Sequence, residues 1–187
     1  MEQIGLLAIQ GAYRDHVKFF DKKRFKCSLV RNNIELKHVD KLIIPGGEST
    51  VITKYLRKYN MVDSIKEKID NGMKVWGICA GSIVVSKIVD GNKNDLSLID
   101  IEIERNAYGR QKNSFIVNCD VNFLNLKKFP HYFIRAPRII KTGKSVEILN
   151  EFKGDPICVK NDNIFITTFH PELTERSDFH EYFLERF

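Results

Sequence analysis

No apolar stretch in this chain approaches the roughly 20 residues that a membrane-spanning helix requires. The opening, Met1-Glu2-Gln3-Ile4-Gly5, lacks a basic segment followed by a long apolar run. That argues against a secretory signal and makes the cytoplasm the expected compartment, with no membrane partner. Cysteine is sparse and scattered: the chain has 4, Cys27, Cys79, Cys119 and Cys158, and no close pair has zinc-ligand spacing. No metal site is expected, and three of the four, in apolar or alternating runs, read as structural thiols. There is no Gly-x-Gly-x-x-Gly fingerprint, so no nucleotide cofactor is implied. Internal repeats, linkers and low-complexity tracts are absent as well. The formal charge of +6 is not accompanied by any nucleic-acid-binding motif, and the densest cluster, Lys22-Lys23-Arg24 with Lys26, is short. Solvated helix faces and loops explain it better than nucleic acid, and an acidic protein partner or anionic substrate also fits. What remains is an ordinary globular composition, 43% hydrophobic and 29% charged, over 187 residues, read as one domain spanning 1–187.

Within that frame the amino-terminal half alternates strand-like and helix-like segments. Residues 4–9, 27–30, 42–44 and 73–78 read as strands, and 12–20, 49–58 and 62–69 have helical spacing. Strands alternating with helices at this interval imply an α/β fold of three layers, a mostly parallel sheet with helices on both faces. The second half is different: residues 99–103, 114–121, 131–134, 146–149, 156–159 and 164–169 look like extra short strands, and 179–187 like a closing helix. Residues 90–97, between them, are the best candidate for a mobile loop.

The chemistry gathers around Cys79. An apolar run, Val75-Trp76-Gly77-Ile78, stops at this cysteine, and a second, Ile83-Val84-Val85, starts after Ala80, Gly81 and Ser82. That is the layout of a nucleophile elbow, a sharp strand-to-helix turn that exposes the reactive atom. Gly77 and Gly81 are expected to leave room for a substrate beside the backbone. The start of a helix favours thiolate over thiol. Far downstream, the strand ending at Phe169 delivers His170-Pro171-Glu172, an imidazole and a carboxylate that complete the parts of a thiol acyl-transfer site. Gln10, Gly46-Gly47-Glu48 and Cys79 each follow a strand directly, and ligands of parallel sheets bind at the carboxyl ends of the strands. All three should converge on one rim. The amides at Gly46 and Gly47, together with Ala80, then suit an oxyanion hole, although Pro-Gly-Gly after a strand is by itself most often a turn. A guanidinium, from Arg105 or Arg135, suits an α-carboxylate.

Several blocks, in order along nearly the whole chain, resemble one family. Pro45-Gly46-Gly47-Glu48-Ser49-Thr50, Cys79-Ala80-Gly81 and His170-Pro171-Glu172 are similar to the class I type glutamine amidotransferases, whose fold is flavodoxin-like. Leu7-Ala8-Ile9-Gln10-Gly11-Ala12, Glu104-Arg105-Asn106 with Tyr108-Gly109-Arg110-Gln111, and Phe133-Ile134-Arg135-Ala136-Pro137 resemble the glutaminase subunits of pyridoxal 5′-phosphate synthases. The resemblance implies hydrolysis of L-glutamine to glutamate and ammonia. The ammonia then passes to a separate synthase subunit, a ring-shaped dodecameric core decorated by glutaminases, which makes the vitamin B6 cofactor from a pentose phosphate and a triose phosphate. The cofactor is thus the product of the assembly, and the glutaminase itself needs none. By motif, Cys79 is the nucleophile and His170 and Glu172 complete a triad. Gly47, Glu48, Ser49, Arg105, Ile134 and Arg135 contact glutamine, and Gln10 lies near the oxyanion loop and the synthase interface. The resemblance also implies a Gly46–Gly47 peptide that is misoriented in the free subunit and flips on docking. Ser82 departs from the pattern, standing where relatives carry a larger apolar residue. Two rivals remain: another amidotransferase or γ-glutamyl hydrolase, disfavoured by the Arg105 and Arg135 blocks, and a redox sensor built on Cys79, which has no use for His170 and Glu172.

Overall fold

The computed structural model describes residues 2–23, 25–105, 107 and 114–187. Arg24, Asn106 and the Tyr108-Gly109-Arg110-Gln111 block lie outside the described residues. The first half forms β1 (Ile4–Leu7), α1 (Tyr13–Lys23), β2 (Ser28–Val30), α2 (Asn33–Leu36), β3 (Lys41–Ile44), α3 (Ser49–Lys58), α4 (Met61–Asp70), β4 (Lys74–Ile78) and α5 (Ala80–Val85). There follow β5 (Ser86–Val89), β6 (Asn92–Lys93), β7 (Ile99–Glu104), β8 (Ser114–Val121), β9 (Leu126–Ile134), β10 (Arg138–Thr142), β11 (Glu147–Phe152), β12 (Asp155–Lys160) and β13 (Ile164–Thr167). The chain closes with α6 (Asp178–Glu181) and a π-helical segment, Tyr182–Arg186.

Seven strands make the central sheet, in the order β11-β12-β13-β4-β3-β1-β2. The five from β13 to β2 are parallel, and β12 and β11 extend the β13 edge antiparallel. The parallel order is the doubly wound one, which puts a crevice at the carboxyl ends of the strands. Successive side chains of a strand face opposite ways, and this sheet uses that to separate two cores. Leu7, Leu42, Ile44, Val75 and Ile166 face an aliphatic core with Ile52, Leu56 and Ile65 from α3 and α4. Leu6, Ile43, Trp76 and Phe165 face the other way, into an aromatic core with Phe19 and Phe20 of α1 and Phe179 and Phe183 near the carboxyl terminus. Burying each such side chain is worth about 1.5–3 kcal/mol. The Trp76 indole N–H also donates to Thr167 Oγ1 at 3.2 Å, tying β4 to β13 inside the aromatic layer.

The strands of the second half form two further units. A four-stranded sheet, β10-β7-β5-β6, lays Ile99, Ile101, Ile103 and Ile139 on the aliphatic core, and the β8–β9 hairpin lays Phe129 and Phe133 on the aromatic one. Several of these elements differ from expectation. β5 and β10 were not anticipated, because each is short and finds its pairing only across the small sheet. β9 begins at Leu126, earlier than the periodicity suggests. α2 was not anticipated either; the Asn32 side chain caps it by accepting from the amides of Ile34 and Glu35, both at 3.0 Å.

The segment 90–97, expected to be mobile, is instead anchored. It contains β6, buries Leu96 and pairs Asp95 with Arg57. Asn94 Nδ2 donates to the carbonyls of Ile83, Val84 and Ser86 at 2.8, 2.9 and 3.1 Å, satisfying the open end of α5. Its Asn and Lys content is a solvated exterior over fixed interior contacts. At the opposite end of the sheet, buried Lys41 donates to the carbonyls of Phe183 and Leu184 at 3.1 and 2.8 Å, holding the final helix against β3.

Candidate active site

Cys79 directly follows β4 and occupies the N-cap position of α5 with φ 49° and ψ −106°. A non-glycine residue at such a dihedral is strained, and strain of this kind persists only where neighbours hold it. They do so here: the Cys79 amide donates to Thr167 O at 2.8 Å, and the Ser82 hydroxyl donates to Cys79 O at 2.5 Å. Ser82 thus braces the turn from behind rather than filling space as a larger apolar side chain would. The two glycines act differently from expectation. A Cβ on Gly81 would lie 2.0 Å from Ile44 O, and one on Gly77 would lie 2.8 Å from Gly81 O. They allow α5 to press onto the ends of β3 and β4; the room they make is for the protein's own backbone and not for a substrate.

His170 follows β13, and its amide donates to Tyr132 O of β9 at 2.9 Å. Pro171 then starts a tight turn, Pro171–Leu173, that brings Glu172 back beneath the imidazole. Nδ1 of His170 lies 2.7 Å from Glu172 Oε1, with the two residues 6% and 5% exposed. Burial alone would lower the His170 pKa. The charge of Glu172 and its hydrogen bond, joined by the neighbouring Cys79, outweigh it and raise the value to about 11. Burial likewise works to raise the Glu172 pKa, and the surrounding imidazoles overcome it, drawing it down to about 2. Glu172 thus holds the imidazole through Nδ1, Cys79 lies near enough to favour its charged form, and Cys79 Sγ approaches Ile134 O at 3.7 Å.

A pocket of about 350 Å³ opens at this rim, a size at the low end of small-molecule sites. Gly46, Gly47, Glu48, Ser49, Cys79, Ala80, Arg105, Ile134, Arg135 and His170 all line it. The other two expected residues stand one layer behind: Glu172 under His170, and Gln10 behind Gly47, its Oε1 accepting from the Glu48 amide at 2.8 Å. Gly46 O accepts from the Ala12 amide at 2.9 Å, so the turn after β1 sets the Gly46–Gly47 peptide. With a trans peptide the Gly47 N–H points away from that bond, and reversing the peptide must break it. On the outer lip an Arg135 guanidinium nitrogen lies 3.4 Å from Glu48 Oε1. Arg105 is held by Asp90, through its Nε at 2.6 Å and its backbone amide at 2.9 Å.

Two contributors escaped the sequence reading. Asp90 lies in the segment taken for a loop, and nothing in its spacing reveals an arginine partner. His16 lies on the buried face of α1 with Nε2 3.6 Å from Glu172 Oε1. The other three cysteines are free thiols with raised pKa values: Cys158 well up through complete burial, Cys27 pushed by burial and Asp21 to about 11, and Cys119 raised by burial and Asp120. Among the described residues no group of three or more His, Cys, Asp or Glu side chains is placed to hold a metal ion.

Known proteins share this architecture along its length. The chain is 44% identical over 184 residues to "Pyridoxal 5′-phosphate synthase subunit PdxT" of Thermotoga neapolitana, covering 98% of each. It is 40% identical over 184 residues to the protein of the same name from Clostridium acetobutylicum, covering 98% of this chain and 99% of the relative. A solved structure described as a glutamine amidotransferase superposes with TM-score 0.91 at 36% identity, covering 97% of both chains. A chain of the PurLQS structure from Thermotoga maritima shares the fold at TM-score 0.59 and 20% identity, over 92% of this chain and 89% of that one. A family model matches residues 6–187, and with it the whole site just described: the chain belongs to the SNO glutamine amidotransferase family.

Proposed function

We propose that this protein is the glutaminase subunit of a pyridoxal 5′-phosphate synthase, hydrolysing L-glutamine and passing ammonia to a separate synthase subunit. The observation that carries the reading is the His170–Glu172 pair, 2.7 Å apart, opening with Cys79 into one pocket at the sheet edge, in a chain matched nearly end to end by proteins of that name. Cys79 sulfur attacks the side-chain amide carbon, and the carbonyl electrons move to an oxyanion that backbone amides at Gly47 and Ala80 stabilise, with Gly46 lining the hole. His170 gives its proton to the departing nitrogen, releasing ammonia and leaving a γ-glutamyl thioester. Water, deprotonated by the same imidazole, then releases glutamate and restores the thiol. Glu172 holds the imidazole in register and balances its charge.

Substrate contacts follow from charge. The Glu48 carboxylate and Arg135 guanidinium, paired across the lip, suit the α-ammonium and α-carboxylate of a free amino acid. Arg105, Ser49 and Ile134 line the same volume. Gln10, behind Gly47, ties the oxyanion strip to the face on which the synthase docks. The Gly46–Gly47 peptide reorients there, and the assembly is a dodecameric synthase ring decorated by glutaminases. The compartment is the cytoplasm, and the chain folds as one domain. The test is ammonia release from glutamine with and without the synthase subunit, for wild type, Cys79→Ala and His170→Asn. Release that needs Cys79 and His170 and rises on adding the synthase is expected. Full turnover by the free chain, unchanged by the synthase, would rule out the docking-dependent peptide.

A further inference from the structure

α1 buries one imidazole completely beside the Glu172 carboxylate, and the glutaminase reading does not use it. His16 is 0% exposed, and among the described residues neither of its ring nitrogens has a hydrogen-bond partner. Its Nε2 lies 3.6 Å from Glu172 Oε1, the same oxygen that meets His170 Nδ1 at 2.7 Å, and Glu172 Oε2 is also unpartnered. Leaving buried polar atoms unpaired is costly. The neighbours on the same face of α1, Phe19 and Phe20, show that an apolar side chain would pack there. A polar group kept at such a position, beside a buried carboxylate, has an electrostatic use.

We infer that His16 is a positioning residue, whose Nε2–H faces Glu172, keeps that carboxylate ionised and holds it turned toward His170. This rests on the glutaminase reading of the site. At 3.6 Å the contact is longer than a hydrogen bond, so it orients through charge and dipole in a water-free space, where such interactions are strong. The groups facing His16 are Glu172 and His170 from the turn after β13, His180 from α6 with ring centroids 5.6 Å apart, and Asp15 on its own helix. Burial lowers the His16 pKa against the pull of Glu172, so a neutral ring supplies a dipole without placing a second cation beside the His170 imidazolium. His180, stacked on Phe19 with centroids 4.0 Å apart, closes the far side and keeps the ring from turning away.

The test uses the full chain with the synthase subunit, comparing His16→Phe and His16→Gln. His16→Phe is expected to lower kcat about tenfold with KM within about twofold, the mark of an interaction that matters after binding. Independently of turnover, the pH dependence of Cys79 alkylation by iodoacetamide is read against a Cys79→Ala background that accounts for the other thiols. A less firmly ionised Glu172 stabilises the imidazolium less, so the alkylation midpoint should move to higher pH in His16→Phe. His16→Gln, whose amide N–H reaches the same side, should recover much of both effects. Should His16→Phe not fold, His16→Asn, too short to reach Glu172, replaces it against His16→Gln. Folded variants with wild-type kcat and an unshifted alkylation profile would overturn the inference. A wild-type complex releasing no ammonia would sink the glutaminase reading, while the alkylation profile would still decide the role of His16.

Discussion

Replacing Gly46 by alanine separates catalysis from stability more cleanly than removing any triad side chain. The added methyl would sit 2.4 Å from His170 Cε1 and 3.3 Å from both ring nitrogens, where ordinary contact starts at 3.4 Å. Gly46 is not among the positive-φ glycines, so its backbone accepts alanine and the clash falls on the imidazole. The ring must give by about 1 Å, and it has little freedom: Glu172 holds Nδ1 at 2.7 Å and the His170 amide is bonded to Tyr132 O. A displacement of that size at a reacting group costs on the order of 100-fold in rate. The expected result is a kcat down by about that factor, measured as ammonia release in the presence of the synthase subunit, with stability lowered only by the roughly 1–3 kcal/mol that overpacking costs. Gly72→Ala is the control with the opposite signature. No atom lies within 4 Å of a Cβ there, but φ is +98°, so the strain should cost about 1 kcal/mol of stability and no activity. A Gly46→Ala protein whose kcat stays within threefold of wild type would refute the placement of His170 against this glycine.

Stability should peak near pH 6.5. Burial depresses the His131 pKa from 6.5 to about 4 despite its bond to Phe129 O; the stability from keeping it neutral is present above pH 6.5 and lost as pH falls toward 4, on the order of 3 kcal/mol. His16 and His180, also depressed by burial, add to this acid limb. His170 works in the other direction: its raised pKa contributes stability that is complete below pH 6.5 and is lost as pH rises toward 11. Urea titrations across this range should show both limbs, and His170→Asn should flatten the alkaline one; an unchanged alkaline limb would contradict the buried ion pair. Asn94→Ala leaves carbonyls at the end of α5 without their donor and should cost about 2 kcal/mol, read by chemical denaturation. Ser82→Ala should cost about 1 kcal/mol or less, because Cys79 O still accepts the Ser82 amide at 3.0 Å. A much larger loss would mean that the hydroxyl alone holds the elbow.

The alternation of short apolar runs with 3.6-period segments was enough to reach the parallel sheet, since each of its strands in the first half, and every helix there but the four-residue α2, is set by its own pattern. The elbow at Cys79 and the His170-Pro171-Glu172 turn were legible for a similar reason. Both are local, a strand end followed by small residues or by a proline. Other features are pairings between segments remote along the chain, and no local pattern carries them. β5 and β10 are strands only because β7 lies between them. The segment 90–97 is anchored because Asn94 reaches the end of α5 and Asp95 reaches Arg57. Arg105 is held by Asp90, and His16 faces a carboxylate on the far side of the sequence. Gly46, Gly77 and Gly81 look alike as letters, yet one yields to an imidazole and two to backbone. Periodicity records which way a side chain faces, whereas the identity of what it meets depends on how the layers stack, and that is a property of the folded molecule alone.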